Sequence, residues 1–196
     1  AVIDLGAGTT DFMAYADSMV ATAGTLGIGG DHITNDIALA FKLTFQQAEK
    51  LKRESGSAWV EDQHFSRRLT IPSEDGRQRG ESISQGAFNT VIQARMKETL
   101  SLVRERLEES GVLPHLGAGI LLTGGGVYLK ECVKLATQVF GVSCVLGRPR
   151  GFAGQAAVTE APEYAASLGM ARYGFRVTSQ NVSASFPDKI KEWFNY

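Results

Sequence analysis

The sequence is poor in the features that mark several functional classes. It has only two cysteines, Cys132 and Cys144, at a separation that matches no metal-binding spacing. So few thiols in 196 residues fit a reducing cytosol, with both side chains buried and inert. Histidine is also scarce. His32, His64 and His115 are scattered, with no cysteine or second histidine nearby. They read as surface or locally hydrogen-bonded residues, and neither a zinc site nor a Ser/His/Asp constellation can be assembled from them. An excess of one charge is missing as well. With 20 Lys and Arg against 21 Asp and Glu, the net charge is −1, which argues against nucleic acid as a partner, because that needs a concentrated basic face. No apolar run approaches the ~20 residues of a membrane-spanning helix. The first residues read as a strand rather than as the basic-then-apolar pattern of a signal peptide. Internal repeats and low-complexity tracts are lacking.

What is present is a chain with enough apolar residues, 43%, to bury a core, at a length that suits one domain with a smaller insertion. Val2 to Leu5 reads as a strand and Thr10 to Tyr15 as the returning arm of a hairpin. Residues 19 to 28 suit a further strand. Asp31 is a candidate N-cap for a helix carrying Ile33, Ile37 and Phe41. Thr44 is a candidate cap for a second helix that ends before Gly56. Residues 55 to 82 are polar, with one strand-like run at 68–72. Phe88, Ile92, Met96, Leu100, Val103 and Leu107 form one stripe, which predicts a long helix from about Ser84 to Ser110. Gly111 suits its left-handed cap and Pro114 blocks continuation. A strand at 119–123, a helix at 129–140, a strand at 143–146 and a helix at 163–173 follow. This alternation predicts an α/β layer. The chain opens inside a strand with no cap, no polar lead-in and no Met, and is expected to be part of a longer protein.

Two glycine-rich turns carry the chemistry. The first follows a strand in Asp4-Leu5-Gly6-Ala7-Gly8-Thr9-Thr10-Asp11. A tight hairpin turn directs successive backbone N–H groups into one concavity, a nest suited to phosphate oxygens. Gly6 and Gly8 remove obstructing side chains, and Thr9 and Thr10 add hydroxyls. Asp4 stands at the strand end, where a carboxylate can order the water shell of Mg²⁺. An ordinary hairpin turn is the competing reading. The second turn is Thr123-Gly124-Gly125-Gly126, between a strand and a helix. Its glycines let backbone lie flat against a planar ligand such as adenine or ribose; a tight strand-to-helix connection is the alternative.

In this order the two turns resemble the second phosphate loop and the adenosine motif of the actin, sugar-kinase and heat-shock-chaperone ATPase superfamily. Within it the chain is most similar to the bacterial FtsA family. The stretches that carry the likeness are Gly29-Gly30-Asp31-His32-Ile33-Thr34-Asn35-Asp36-Ile37-Ala38, residues 48–56, residues 121–126 and residues 162–169. The resemblance implies an actin-like (ribonuclease H-like) second lobe with an inserted smaller subdomain. Residues 1–28 and 88–175 would form the root subdomain and residues 29–87 the insertion. It implies ATP and Mg²⁺ as ligands, with Gly6, Ala7, Gly8, Thr9, Thr10, Gly124, Gly125 and Gly126 at the nucleotide. Gly30 would lie beside the ribose, and Glu49 and Lys52 would reach ribose and adenine; without the resemblance these two read as a solvated helix face. The first phosphate loop has no counterpart here, so the chain alone is expected to be inactive and the whole protein at most a slow ATPase.

The same resemblance implies a cell-division adaptor at the cytoplasmic face of the inner membrane. It would polymerise with itself and bind the FtsZ C-terminal tail, for which Arg77, Arg79 and Arg95 are the candidates. Residues 176–185 are polar, lack periodicity and read as a linker. Beyond them Phe186, Ile190, Trp193 and Phe194 fall on one face of a short helix, an amphipathic segment at 186–196 suited to membrane lipid. Two alternatives stay open: a pilus-assembly relative, and a chaperone- or sugar-kinase-type ATPase.

Overall fold

The computed structural model describes residues 1–71 and 82–185. Residues 1–147 form one compact unit and the chain from Arg148 a second. The first unit is built on a five-stranded sheet. Strand β1 (Val2–Leu5) lies at its centre, with β2 (Thr10–Ala16) and β3 (Met19–Leu26) antiparallel on one side. Strands β6 (Ile120–Thr123) and β7 (Cys144–Leu146) run parallel to β1 on the other side, giving the order β3-β2-β1-β6-β7. The β2–β3 turn is tight because Asp17 and Ser18 both take positive φ, the twist that a two-residue hairpin needs.

Alternation along the strands decides which face is covered. Ile3 and Leu5 of β1, Phe12 and Ala14 of β2, and Ile120 and Leu122 of β6 are all buried. Against them packs the long helix α3 (Gln85–Glu109), whose stripe Phe88, Ile92, Met96, Leu100, Val103 and Leu107 is the buried stripe that its spacing predicts. Ser84 caps it, accepting from Ala87 N. At its far end Gly111 has φ +69, the expected left-handed position. Helix α4 (Cys132–Phe140) adds Leu135, Ala136 and Val139 to the same core. It starts later than the sequence suggests, because a 3₁₀ turn at Gly125–Tyr128 follows the glycine run.

Two helices precede α3. Helix α1 (Gly30–Phe41) is capped by Gly29 rather than by Asp31, which sits in its first turn. Helix α2 (Phe45–Ser55) begins at the predicted Thr44: the Thr44 hydroxyl accepts from Gln47 N at 3.3 Å and the Gln47 side chain accepts from Thr44 N at 3.0 Å. A short ladder of β4 (Arg68–Thr70) with β5 (Ser82–Ser84) completes the first unit. Helix α1 packs on both α2 and α3 within this unit.

In the second unit α5 (Ala156–Thr159) is followed by α6 (Ala165–Ser185). Arg172 of α6 donates to the carbonyls of Arg150 and Gly151 at 3.1 and 2.6 Å and lies over the Phe152 ring. The linker expected at 176–185 is corrected: these residues continue α6. They contain no Pro or Gly, and once a helix is nucleated each added residue costs little.

Candidate functional site

Strands β1 and β6 are parallel neighbours, and each ends in a glycine turn. The two turns therefore meet beyond the carboxyl ends of adjacent strands, where open α/β sheets bind ligands. In the first turn Gly6 N donates to Thr9 O at 3.0 Å and closes the loop. The carbonyls of Gly6 and Ala7 accept from Gly30 N (3.0 Å) and Asp31 N (2.9 Å), the first turn of α1. Among the described residues, the amides of Ala7 and Gly8 have no such backbone partner. The loop thus gives its oxygens to α1 and keeps two donors, which is the polarity an anion requires.

The glycines divide by what a side chain would meet. A Cβ at Gly29 would lie 2.4 Å from Ala7 O, and one at Gly6 2.9 Å from Thr9 O. At Gly124, where φ is +85, it would strike Asp4 Oδ1 and Leu5 O, and at Gly126 it would strike Leu5. Gly6 is required by the closure of its own turn, and Gly29, Gly124 and Gly126 by the packing of α1 and the second turn against the first turn and the end of β1. Gly8 and Gly125 differ: a Cβ there would meet nothing within 4 Å. One glycine of each turn faces open space.

The hydroxyls divide too. Thr10 is fully buried and donates to Ile28 O at 2.8 Å, so its role is to hold the end of β3. Thr9 is exposed and donates to Asp11 Oδ2 at 3.0 Å. Asp11 also accepts from Thr25 and pairs directly across the ladder with Asp4. Burial, and then the charge of Asp11, push the Asp4 carboxyl above its ordinary value. Two facing carboxylates of this kind are relieved by a cation. Asp4 and Asp11 are the residues that would hold Mg²⁺, with most of its shell left to water.

On the other flank, α2 presents Lys52 and Glu49 toward the start of α1. Lys52 Nζ contacts Glu49 Oε2 (2.6 Å), Thr34 Oγ1 (2.7 Å) and Gly30 O (2.9 Å). Those three acceptors match its three N–H donors. Lys52 is mostly buried, whereas Glu49 is one-third exposed and is the member that reaches solvent. Burial alone would raise the Glu49 carboxyl. Hydrogen bonds from Lys52 and Thr34, with the charges of Lys52 and Arg53, outweigh burial and hold it below its ordinary value. Gly30 lies between this network and the first turn, with Lys52 Nζ 3.5 Å from where its Cβ would be.

A family model described as "Cell division protein FtsA" matches residues 1–169. The chain belongs to the FtsA family. Curated FtsA proteins from Agrobacterium fabrum, Pseudomonas aeruginosa and Escherichia coli K12 are 31%, 32% and 31% identical to it, over 88%, 94% and 88% of this chain. Those matches cover 40%, 44% and 43% of the relatives, so the chain spans less than half of their length. Among solved structures, MreB5 of Spiroplasma citri bound to ADP superposes with a TM-score of 0.67 at 18% identity, covering 93% of this chain and 54% of that one. A PilM–PilN type IV pilus biogenesis complex gives 0.58 at 20% identity, covering 88% and 45%. At these identities the likeness establishes the actin-like α/β fold.

Arg95 is not a free surface charge. It forms a two-point pair with Asp36 of α1, at 2.6 and 3.1 Å, and a further pair with Glu98 at 2.7 Å, so it fastens α1 to α3. Arg77 and Arg79, and the tail residues Phe186, Ile190, Trp193 and Phe194, lie outside the described residues. Among the described residues no helix is long and apolar enough to cross a membrane. Thr34 and Asp11 join the site without having been singled out in the sequence. Thr34 is fully buried beside Ile33 and Ile37, and a polar residue on an otherwise apolar stripe was the available signal.

Proposed function

We propose that this FtsA-family chain supplies one wall of an ATP site in a cell-division adaptor. The observation that carries the reading is the division among the glycines. Packing explains Gly6, Gly29, Gly124 and Gly126, while Gly8 and Gly125 face open space at the meeting of two turns. In this reading the amides of Ala7 and Gly8 and the Thr9 hydroxyl take phosphate oxygens. Gly125 lies against the adenosine, and Glu49 and the Gly30 backbone border the ribose. Mg²⁺ near Asp4 would shield phosphate charge. The MreB5 structures bound to ADP and to AMPPNP support a nucleotide in a fold of this type.

Around that site the family suggests the wider role. The protein polymerises with itself and tethers FtsZ through its C-terminal tail at the cytoplasmic face of the membrane, with slow ATP turnover at most. Arg77 and Arg79 remain the candidates for the FtsZ tail. Phe186, Ile190, Trp193 and Phe194 are the candidates for membrane lipid. Calorimetry with Mg-ATP on the full-length protein tests the site. Saturable binding that Gly125→Val abolishes is expected; affinity unchanged by Gly125→Val would reduce the second turn to a connection.

A further inference from the structure

The two sides of the proposed adenosine pocket come from distant parts of the chain, Glu49 and Lys52 on α2 and the Gly124–Gly126 turn after β6. They are joined just behind the pocket. Helix α2 ends at Gly56, whose missing side chain admits Ile92 and Leu129; a Cβ there would lie 3.0 Å from each. The next residue, Ser57, forms an isolated parallel bridge with Lys130, and Ala58 N donates to Lys130 O at 2.8 Å. The strip 56–58 thus ties the end of α2 to the residues that follow the glycine turn. Ser57 Oγ closes a local turn with Trp59, donating to its carbonyl at 2.9 Å and accepting from its amide at 3.2 Å.

One buried side chain holds that strip. Asn89, on the buried face of α3, is fully buried. Its Oδ1 accepts from Ser57 N at 3.1 Å, and its Nδ2 lies 3.3 Å from His64 Nδ1. His64 Nδ1 in turn accepts from Glu61 N at 3.1 Å. A buried amide on a core stripe is costly unless its partners are fixed. Here they all belong to the segment that follows α2. Among the described residues, the side-chain hydrogen bonds of Asn89 go to Ser57 and His64 and to none of the residues assigned to nucleotide.

Resting on the nucleotide reading above, we propose that Asn89 is a positioning residue: through Ser57 it sets the gap between α2 and the Gly124–Gly126 turn and so the fit of the base. Its removal widens that gap, while the phosphate loop keeps its own bonds to the amides of Gly30 and Asp31. The test uses the full-length protein, with ATP and inorganic tripolyphosphate as probes. Asn89→Leu, of similar size but without polar atoms, is expected to weaken ATP at least fivefold and leave tripolyphosphate within twofold. Asn89→Asp keeps an acceptor for Ser57 N and should recover most of the ATP affinity. A folded Asn89→Leu protein with parental ATP affinity overturns the proposal, as does equal loss of both probes. If Asn89→Leu does not fold, Asn89→Ser carries the test. It shortens the side chain that accepts from Ser57 N, and ATP affinity lowered at least twofold with tripolyphosphate unchanged supports the role; parental affinity for ATP overturns it. A parental protein that binds neither probe defeats the nucleotide reading itself, an outcome visible before any variant is made.

Discussion

Gly124 and Gly125 are adjacent, yet the structure assigns them opposite consequences. At Gly124 φ is +85 and an added Cβ would sit 2.2 Å from Asp4 Oδ1 and 2.6 Å from Leu5 O. With ψ at 170 this is extended backbone of positive φ, a region that essentially only glycine adopts, and a side chain there costs about 1–3 kcal/mol. Forcing it into the packed end of β1 adds about 1–3 kcal/mol. Gly124→Ala should therefore destabilise the protein by roughly 2–6 kcal/mol, a fall in Tm of the order of 10 °C. At Gly125 φ is not positive and the added Cβ meets nothing within 4 Å. Gly125→Ala should keep its stability within about 0.5 kcal/mol of the parent, while ATP affinity drops because the new methyl occupies the ligand's side of the turn. Thermal denaturation and calorimetry on the two variants make the comparison. The reasoning is refuted by a parental Tm in Gly124→Ala, or by a Tm in Gly125→Ala that falls as far as that of its neighbour.

Two further outcomes follow from the titrating groups. The folded-state pKa of Glu49 lies below its ordinary 4.5, so the stabilisation it provides is complete above that value and disappears as pH falls through the folded pKa; the stability gap between the parent and Glu49→Gln, from denaturant titrations, should be constant near neutrality and close on acidification, and a gap that widens in acid would reverse the assignment. Burial, with a smaller contribution from Cys144, pushes the Cys132 thiol up to about 12, so at pH 8 a thiol reagent should label Cys132 only at the rate of unfolding, and rapid labelling in native buffer would contradict its placement in the core.

Much of the fold was legible because local pattern and tertiary role coincide. The stripe on α3, the Thr44 cap and the strand–glycine–strand arrangement at residues 2–15 are each set by neighbours in the chain, and the structure repeats them. The site was legible at the level of two glycine turns, but the division of labour inside them was not. Whether a glycine faces protein or open space depends on α1 and β6, which approach from far along the chain. Arg95 illustrates the same limit. Its partner Asp36 lies 59 residues away, and nothing in the sequence around either residue announces the pair. The helical course of residues 176–185 was missed for a different reason: a polar segment without periodicity gives no sign that a preceding helix will run on through it.

The central position of β1 has a consequence for biosynthesis. On one side β1 meets β2 through a turn of a few residues, but on the other it waits for β6, and the Ala1 backbone nitrogen donates to Gly119 O across a separation of 118 residues. Closing that longer loop costs about 3 kcal/mol more chain entropy than closing the hairpin. A nascent chain that has left the ribosome only as far as α3 can hold the first glycine turn but has no second turn to set beside it. The cleft is thus among the last parts of this unit to exist, and a chain interrupted before Thr123 would carry the turn proposed for phosphate without the turn proposed for a base.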